Sequence, residues 1–160
     1  MRTPASIAGH PIHPMIVPIA IGGFILSFIF DVCGIALGNA DPWAAIAYYT
    51  MIGGIVGALL ASVFGTMDLL SIPPGRAKKI GITHMVINLA VVGLFICNAW
   101  LRHEAPGIGG TPFFLSLIGV ALLAVSGWLG GKLVFEEGIG VSGSEQPSAP
   151  RPAATRPREA

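Results

Sequence analysis

From Pro14 to Leu70 the chain has no Lys or Arg, and its only ionised side chains there are Asp31, Asp41 and Asp68. Soluble cores do not come in apolar stretches of that length, so the solvent for most of this region is lipid. Composition agrees: 53% of residues are hydrophobic and mean hydropathy is +0.76. Only 11% are charged, against about 25% in an ordinary soluble domain. A net charge of +1 leaves no basic field to hold nucleic acid. A soluble enzyme is excluded, and the chain reads as one without catalytic activity of its own.

Four segments are long enough to cross a bilayer core, approximately residues 15–37, 43–70, 80–101 and 112–135. Gly38-Asn39-Ala40-Asp41-Pro42, Ile72-Pro73-Pro74-Gly75-Arg76 and Arg102-His103-Glu104-Ala105-Pro106-Gly107 punctuate them. Connections this short make sequential helices antiparallel neighbours, so the expected fold is all-α, an up-down four-helix transmembrane bundle over residues 14–137. No alternating pattern supports a barrel. The first apolar stretch is too long for a signal-peptide core and is read as a retained helix. Residues 1–13 form an N-terminal segment. Residues 138–160, rich in proline and without aromatics, form a tail expected to be disordered.

Basic residues give the orientation. Arg2, Arg76, Lys78, Lys79, Lys132, Arg151, Arg156 and Arg158 lie on one side of a four-span arrangement, and Arg102 alone lies on the other. That bias predicts cytoplasmic termini and a cytoplasmic middle loop. Trp43, Tyr48, Tyr49 and Trp100 then sit near the outer interface.

In lipid, small residues let helices approach closely. Gly53, Gly57, Ala61 and Gly65 recur every fourth position on the second span, and Gly127 and Gly131 repeat the device on the fourth. On the third span His84, Asn88, Val91, Phe95 and Asn98 share one face, expected to look into the bundle, with the asparagines as hydrogen-bonding glue. Cys33 and Cys97 read as packing residues rather than a redox pair. Asp31 and Ser27 form a lesser polar pair near the outer half, with Asn98 as a candidate partner for Asp31.

The unusual residues gather by depth. His10 and His13 precede the first helix, Asp68 closes the second, His84 opens the third, and Glu136 and Glu137 close the fourth. All six project to the cytoplasmic end. Pro11 and Pro14 bias the histidines before them toward extended backbone, with His13 near the N-cap and Pro14 at the first helical position. Asp68 opposes the helix dipole at a C-terminus and calls for a partner such as Arg76, Lys78 or a histidine. His10, His13, Asp68 and His84 are therefore candidate metal ligands, and the three histidines candidate haem ligands. A structural latch and a proton or ion path are the other readings.

The motifs also resemble a known family. Gly9-His10-Pro11-Ile12-His13-Pro14-Met15, Gly65-Thr66-Met67-Asp68 before Ile72-Pro73, and His84 with Asn88 are three of them. The fourth is Ser126-Gly127-Trp128-Leu129-Gly130-Gly131-Lys132-Leu133-Val134-Phe135, followed by Gly138-Ile139-Gly140-Val141. Over about residues 7–141 they resemble the bacterial predicted-membrane-protein family called domain of unknown function 2231. The resemblance implies an inner-membrane protein and carries no established activity. Some members resemble four-helix membrane cytochromes of b type and some are fused to Rieske iron–sulfur domains, which implies redox work, a redox protein partner and haem b. Where members often carry an aromatic and a His, this chain has Phe135-Glu136-Glu137.

Three functional readings follow from these features. The leading one is an inner-membrane protein whose His/Asp cluster is structural or binds haem or a divalent metal ion. The others are a haem b electron-transfer subunit and a scaffold that meets a membrane partner through the glycine stripe.

Overall fold

Each apolar stretch becomes one helix in the computed structural model, which describes residues 4–105 and 107–141. A two-residue strand pair, β1 (Ser6–Ile7) and β2 (His10–Pro11), precedes α1 (Ile12–Leu37), α2 (Ala40–Ser71), α3 (Arg76–Glu104) and α4 (Gly110–Phe135). All four helices are long and apolar enough to span a membrane. The helices follow one another around the bundle, α1 packing most extensively on α2 and α3 on α4. The architecture is thus two helical hairpins set side by side.

The surface is inverted relative to a soluble protein. Leu59, Leu60, Val63, Leu89, Trp100 and Trp128 are exposed, while Ser27, Asp31, Asn98, Arg102, Ser116 and Ser126 are buried. Such a surface matches a hydrocarbon solvent, where backbone groups bond within helices and polar side chains turn to one another. The apolar centre holds Ala20, Phe24, Met51, Ile55, Val91 and Phe95. The Phe24 and Phe95 rings stack with centroids 4.0 Å apart and planes within 4°. Close approach of α1 and α2 depends on glycine, because a Cβ on Gly23 would lie 2.5 Å from the Gly54 Cα.

The N-terminal segment is more structured than the sequence reading supposed. Ala8 and Gly9, with φ of 50° and 82°, make a two-residue turn that pairs Ser6 with Pro11 and Ile7 with His10. His10 is extended, as the following proline predicts. His13 is not: it lies inside α1, whose N-cap is Pro11. The first four helical N–H groups have no intrahelical partner, so Pro14 in the first turn costs the helix no hydrogen bond.

At the other end of the chain, Gly138 (φ 64°) follows α4, and Ile139 N–H donates to the Leu133 carbonyl at 2.9 Å. That closes the helix with a turn over residues 138–141, which the sequence reading assigned to the tail. The rest of the predicted tail, residues 142–160, lies outside the described residues.

Candidate functional site: a histidine pair and a buried ion pair

The polar residues form two clusters at opposite ends of the bundle. At the end carrying the N-terminal segment, His13 Nδ1 donates to the Ala61 carbonyl at 2.8 Å, and His84 Nδ1 donates to the Ser126 carbonyl at 2.8 Å. Each imidazole lies where a glycine leaves room one turn further along. A Cβ on Gly65 would sit 2.8 Å from His13 Nδ1, and one on Gly130 would sit 3.2 Å from His84 Cε1. Since a carbonyl can only accept, the proton of each neutral ring is fixed on Nδ1 and the lone pair on Nε2. Ser126 Oγ stands 3.0 Å from the same Nδ1 of His84, and the Asn88 amide reaches its Nε2 at 3.0 Å. His13 Nε2 has no hydrogen-bond partner among the described residues. The two rings are half-buried.

The other expected members of the cluster go elsewhere. His10 is exposed and turns its Nδ1 to the Ala8 carbonyl of its own turn at 3.1 Å. Asp68 is buried, and its Oδ1 accepts from Ala5 N–H at 3.1 Å; among the described residues no histidine or cation bonds it. Lys78, a predicted partner, donates instead to the Leu69 carbonyl. Arg76 bonds Glu136 at 2.7 Å and Glu137 at 3.3 Å, tying the start of α3 to the end of α4. Among the described residues no three His, Cys, Asp or Glu side chains come together as a metal site. Thus His10 and Asp68 bond backbone groups of the N-terminal segment, while His13 and His84 each bond a helix carbonyl at the same end of the bundle. A proline-rich turn sets the backbone of a histidine but does not choose which carbonyl its ring finds.

The second cluster was hardly visible in the sequence. Arg102, read there as the single basic residue of an outer loop, is buried in α3 and grips Asp31 of α1 through two bonds of 2.7 and 2.6 Å. Its Nε donates to Asn98 Oδ1 at 2.9 Å. Asn98 in turn donates to Ser116 Oγ at 2.8 Å and to the Pro112 carbonyl at 2.9 Å, so it links α3 to α4. The candidate Asp31–Asn98 contact is thus bridged by Arg102 and Ser116. Asn88, also expected to bind helices together, bonds His84 within its own helix. A cleft of about 380 Å³ opens beside Arg102, with Asp41, Tyr48, Tyr49 and the exposed His103 on its walls. Cys33 and Cys97 are free thiols.

The family model described as predicted membrane protein (DUF2231) matches residues 9–143. The chain belongs to that family. No curated protein and no solved structure matches it. The family match spans both clusters and all four helices, so the site is part of the family's membrane domain and lies outside the C-terminal tail.

The small-residue stripe of this DUF2231 member is used inside the chain. Gly57 faces Ile19 and Ala20 of α1, Ala61 is buried, and Gly65 faces His13. Gly53 and Gly127 meet nothing within 4 Å, and Gly131 meets only Phe135 of its own helix. Close contacts are also carried by glycines outside the stripe: Gly34 against Ile108, Gly23 against Gly54, Gly81 against Leu69 and Gly119 against Phe95. Spacing every fourth residue marks a smooth helix face, but the rotation of α2 against α1 decides which part of it is covered.

Proposed function

We propose that this membrane protein holds one transition-metal centre, haem iron or a bare ion, through Nε2 of His13 and His84, at the cytoplasmic end of an inner-membrane bundle. The observation that carries the reading is that both rings are fixed alike, Nδ1–H on a helix carbonyl and the lone pair on Nε2; in His84 that lone pair accepts from the Asn88 amide, which must turn away for the ring to ligate. An Nδ1–H so held is the arrangement by which proteins orient ligating imidazoles and raise their basicity. Redox or electron-transfer work with a protein partner is the use that such a centre would serve. The cytoplasmic placement rests on the basic bias, sharpened by the burial of Arg102, the only basic residue counted on the other side, against Asp31.

An ion path gains no support, since the two polar clusters are separated by the apolar layer of Phe24, Phe95, Met51 and Val91. A scaffold acting through the α2 stripe is disfavoured, because Gly57, Ala61 and Gly65 already pack within the chain.

The test is direct. Full-length protein purified from native membranes should show either a Soret band with a reduced α-band, or near-stoichiometric metal by elemental analysis. His84→Ala should remove it. A colourless, metal-free protein that takes up neither haemin nor Co²⁺ in titration refutes the reading and leaves the histidines as interhelical fasteners.

A further inference from the structure

The residues that build both clusters recur at fixed intervals. His13 and His84, Phe24 and Phe95, Asp31 and Arg102 are each 71 positions apart, the first member in α1 and the second in α3. Between α2 and α4, Gly54 and Gly119, Ala61 and Ser126, Gly65 and Gly130 are each 65 positions apart. The pairs share roles as well as spacing. Phe24 fills the space over Gly54 and Phe95 the space over Gly119, so that a Cβ on either glycine would lie 2.8 or 2.7 Å from the respective ring. His13 bonds the carbonyl of residue 61 over Gly65, and His84 bonds that of residue 126 over Gly130.

We infer that the four-helix domain is two copies of one helical hairpin, related by a pseudo-two-fold axis along the helices, and that the axis runs between His13 and His84. Those imidazoles are then two halves of a single ligand site to which each hairpin contributes one ring. The parallel Phe24 and Phe95 rings, 4.0 Å apart, are what such an axis produces when it passes between two equivalent aromatics. Repeats related by an axis normal to the membrane are a recognised way to build membrane proteins, with sites at the repeat interface.

The departures from symmetry have physical reasons. Two equivalent buried positions that meet across an axis cannot both carry the same charge without a large cost, and here one is Asp31 and the other Arg102. Asn88 stands where the first hairpin has Val17, and Ser126 where it has Ala61, so only His84 gains side-chain partners. His84 is the ring held in place, and His13 is the one whose Nε2 is unengaged among the described residues.

The shared site rests on the metal-centre reading, whereas the duplication does not, and two experiments on the full-length protein separate them. For the duplication, Asp31→Arg and Arg102→Asp should each lower the melting temperature in detergent, and the double exchange should recover at least half of the larger loss. A double variant no more stable than the worse single one overturns the equivalence. For the site, Co²⁺ titration should saturate at one ion per chain, with His13→Ala and His84→Ala each abolishing binding at unchanged helical content. If either variant fails to keep its helical content, the Gln substitution replaces it. Two ions per chain, or one histidine dispensable, overturns the shared site. Absence of Co²⁺ and haemin binding in the unaltered protein overturns the metal-centre reading and the shared site with it, while the charge exchange still decides the duplication.

Discussion

The guanidinium of Arg102 and the carboxylate of Asp31 meet across the bundle through two bonds of 2.7 and 2.6 Å, with both side chains almost wholly buried. Their surroundings complete the pairing: Asn98 takes the third donor of the guanidinium, and Ser116 Oγ lies 3.3 Å from Asp31. The pair ties α1 to α3, which face each other diagonally and share few other close contacts.

Breaking this pair by removing one member should be severe. Arg102→Ala leaves Asp31 charged and buried, a change that costs about 3–5 kcal/mol. Replacing both by leucine should cost much less, since it removes the stranded charge together with the attraction. Denaturant or thermal unfolding in detergent micelles would measure both, and a double variant worse than Arg102→Ala would contradict the account.

Ser27 presents the opposite case. Its Oγ is buried and has no hydrogen-bond partner among the described residues. Ser27→Ala removes an unsatisfied group and should leave stability unchanged or raise it by up to about 1 kcal/mol. A clear loss of melting temperature would mean that the hydroxyl is engaged.

Packing of α1 on α2 should discriminate sharply between neighbouring glycines. Gly54→Ala places a methyl group 2.8 Å from the Phe24 ring, and the resulting overpacking costs about 1–3 kcal/mol. Gly53→Ala meets nothing within 4 Å and should be neutral or stabilising through helix propensity. Parallel melts of the two variants test this, with equal effects being the adverse result.

On the proposed metal-centre reading, Gly65 should matter to metal binding without touching the metal. A methyl group there lies 2.8 Å from His13 Nδ1 and displaces the ring from the Ala61 carbonyl. Loss of such an orienting bond typically weakens metal affinity about 10–100-fold. Co²⁺ titration of Gly65→Ala against the unaltered protein would show it, and unchanged affinity would separate the carbonyl bond from the site.

The segment before α1 makes plain how far local rules reach. Pro11 correctly implies an extended His10, yet Pro14 does not keep His13 out of the helix, because a first-turn proline forfeits no hydrogen bond. Asp68 was legible as a carboxylate in need of a partner. That the partner is the backbone N–H of Ala5 was not, since any residue type supplies that donor. The interval of 71 positions was present in the sequence too, but with few identities to mark it: Phe24 and Phe95 match, whereas Asp31 and Arg102 are opposites.

By itself the sequence determined that this chain belongs in lipid, that it crosses as four helices joined by short turns, and that its few polar residues are worth noticing. Those properties follow from length, hydropathy and punctuation, which act locally. Only the tertiary structure decided which polar residues meet. Arg102 leaves its loop reading for a buried pair with Asp31, His10 and Asp68 bond backbone groups of the N-terminal segment, and His13 and His84 each bond a helix carbonyl at the same end of the bundle. The reason is physical: in a membrane an unpartnered buried polar group is costly, and which partner it meets is chosen by how helices rotate and cross, a relation that spacing along one helix does not contain.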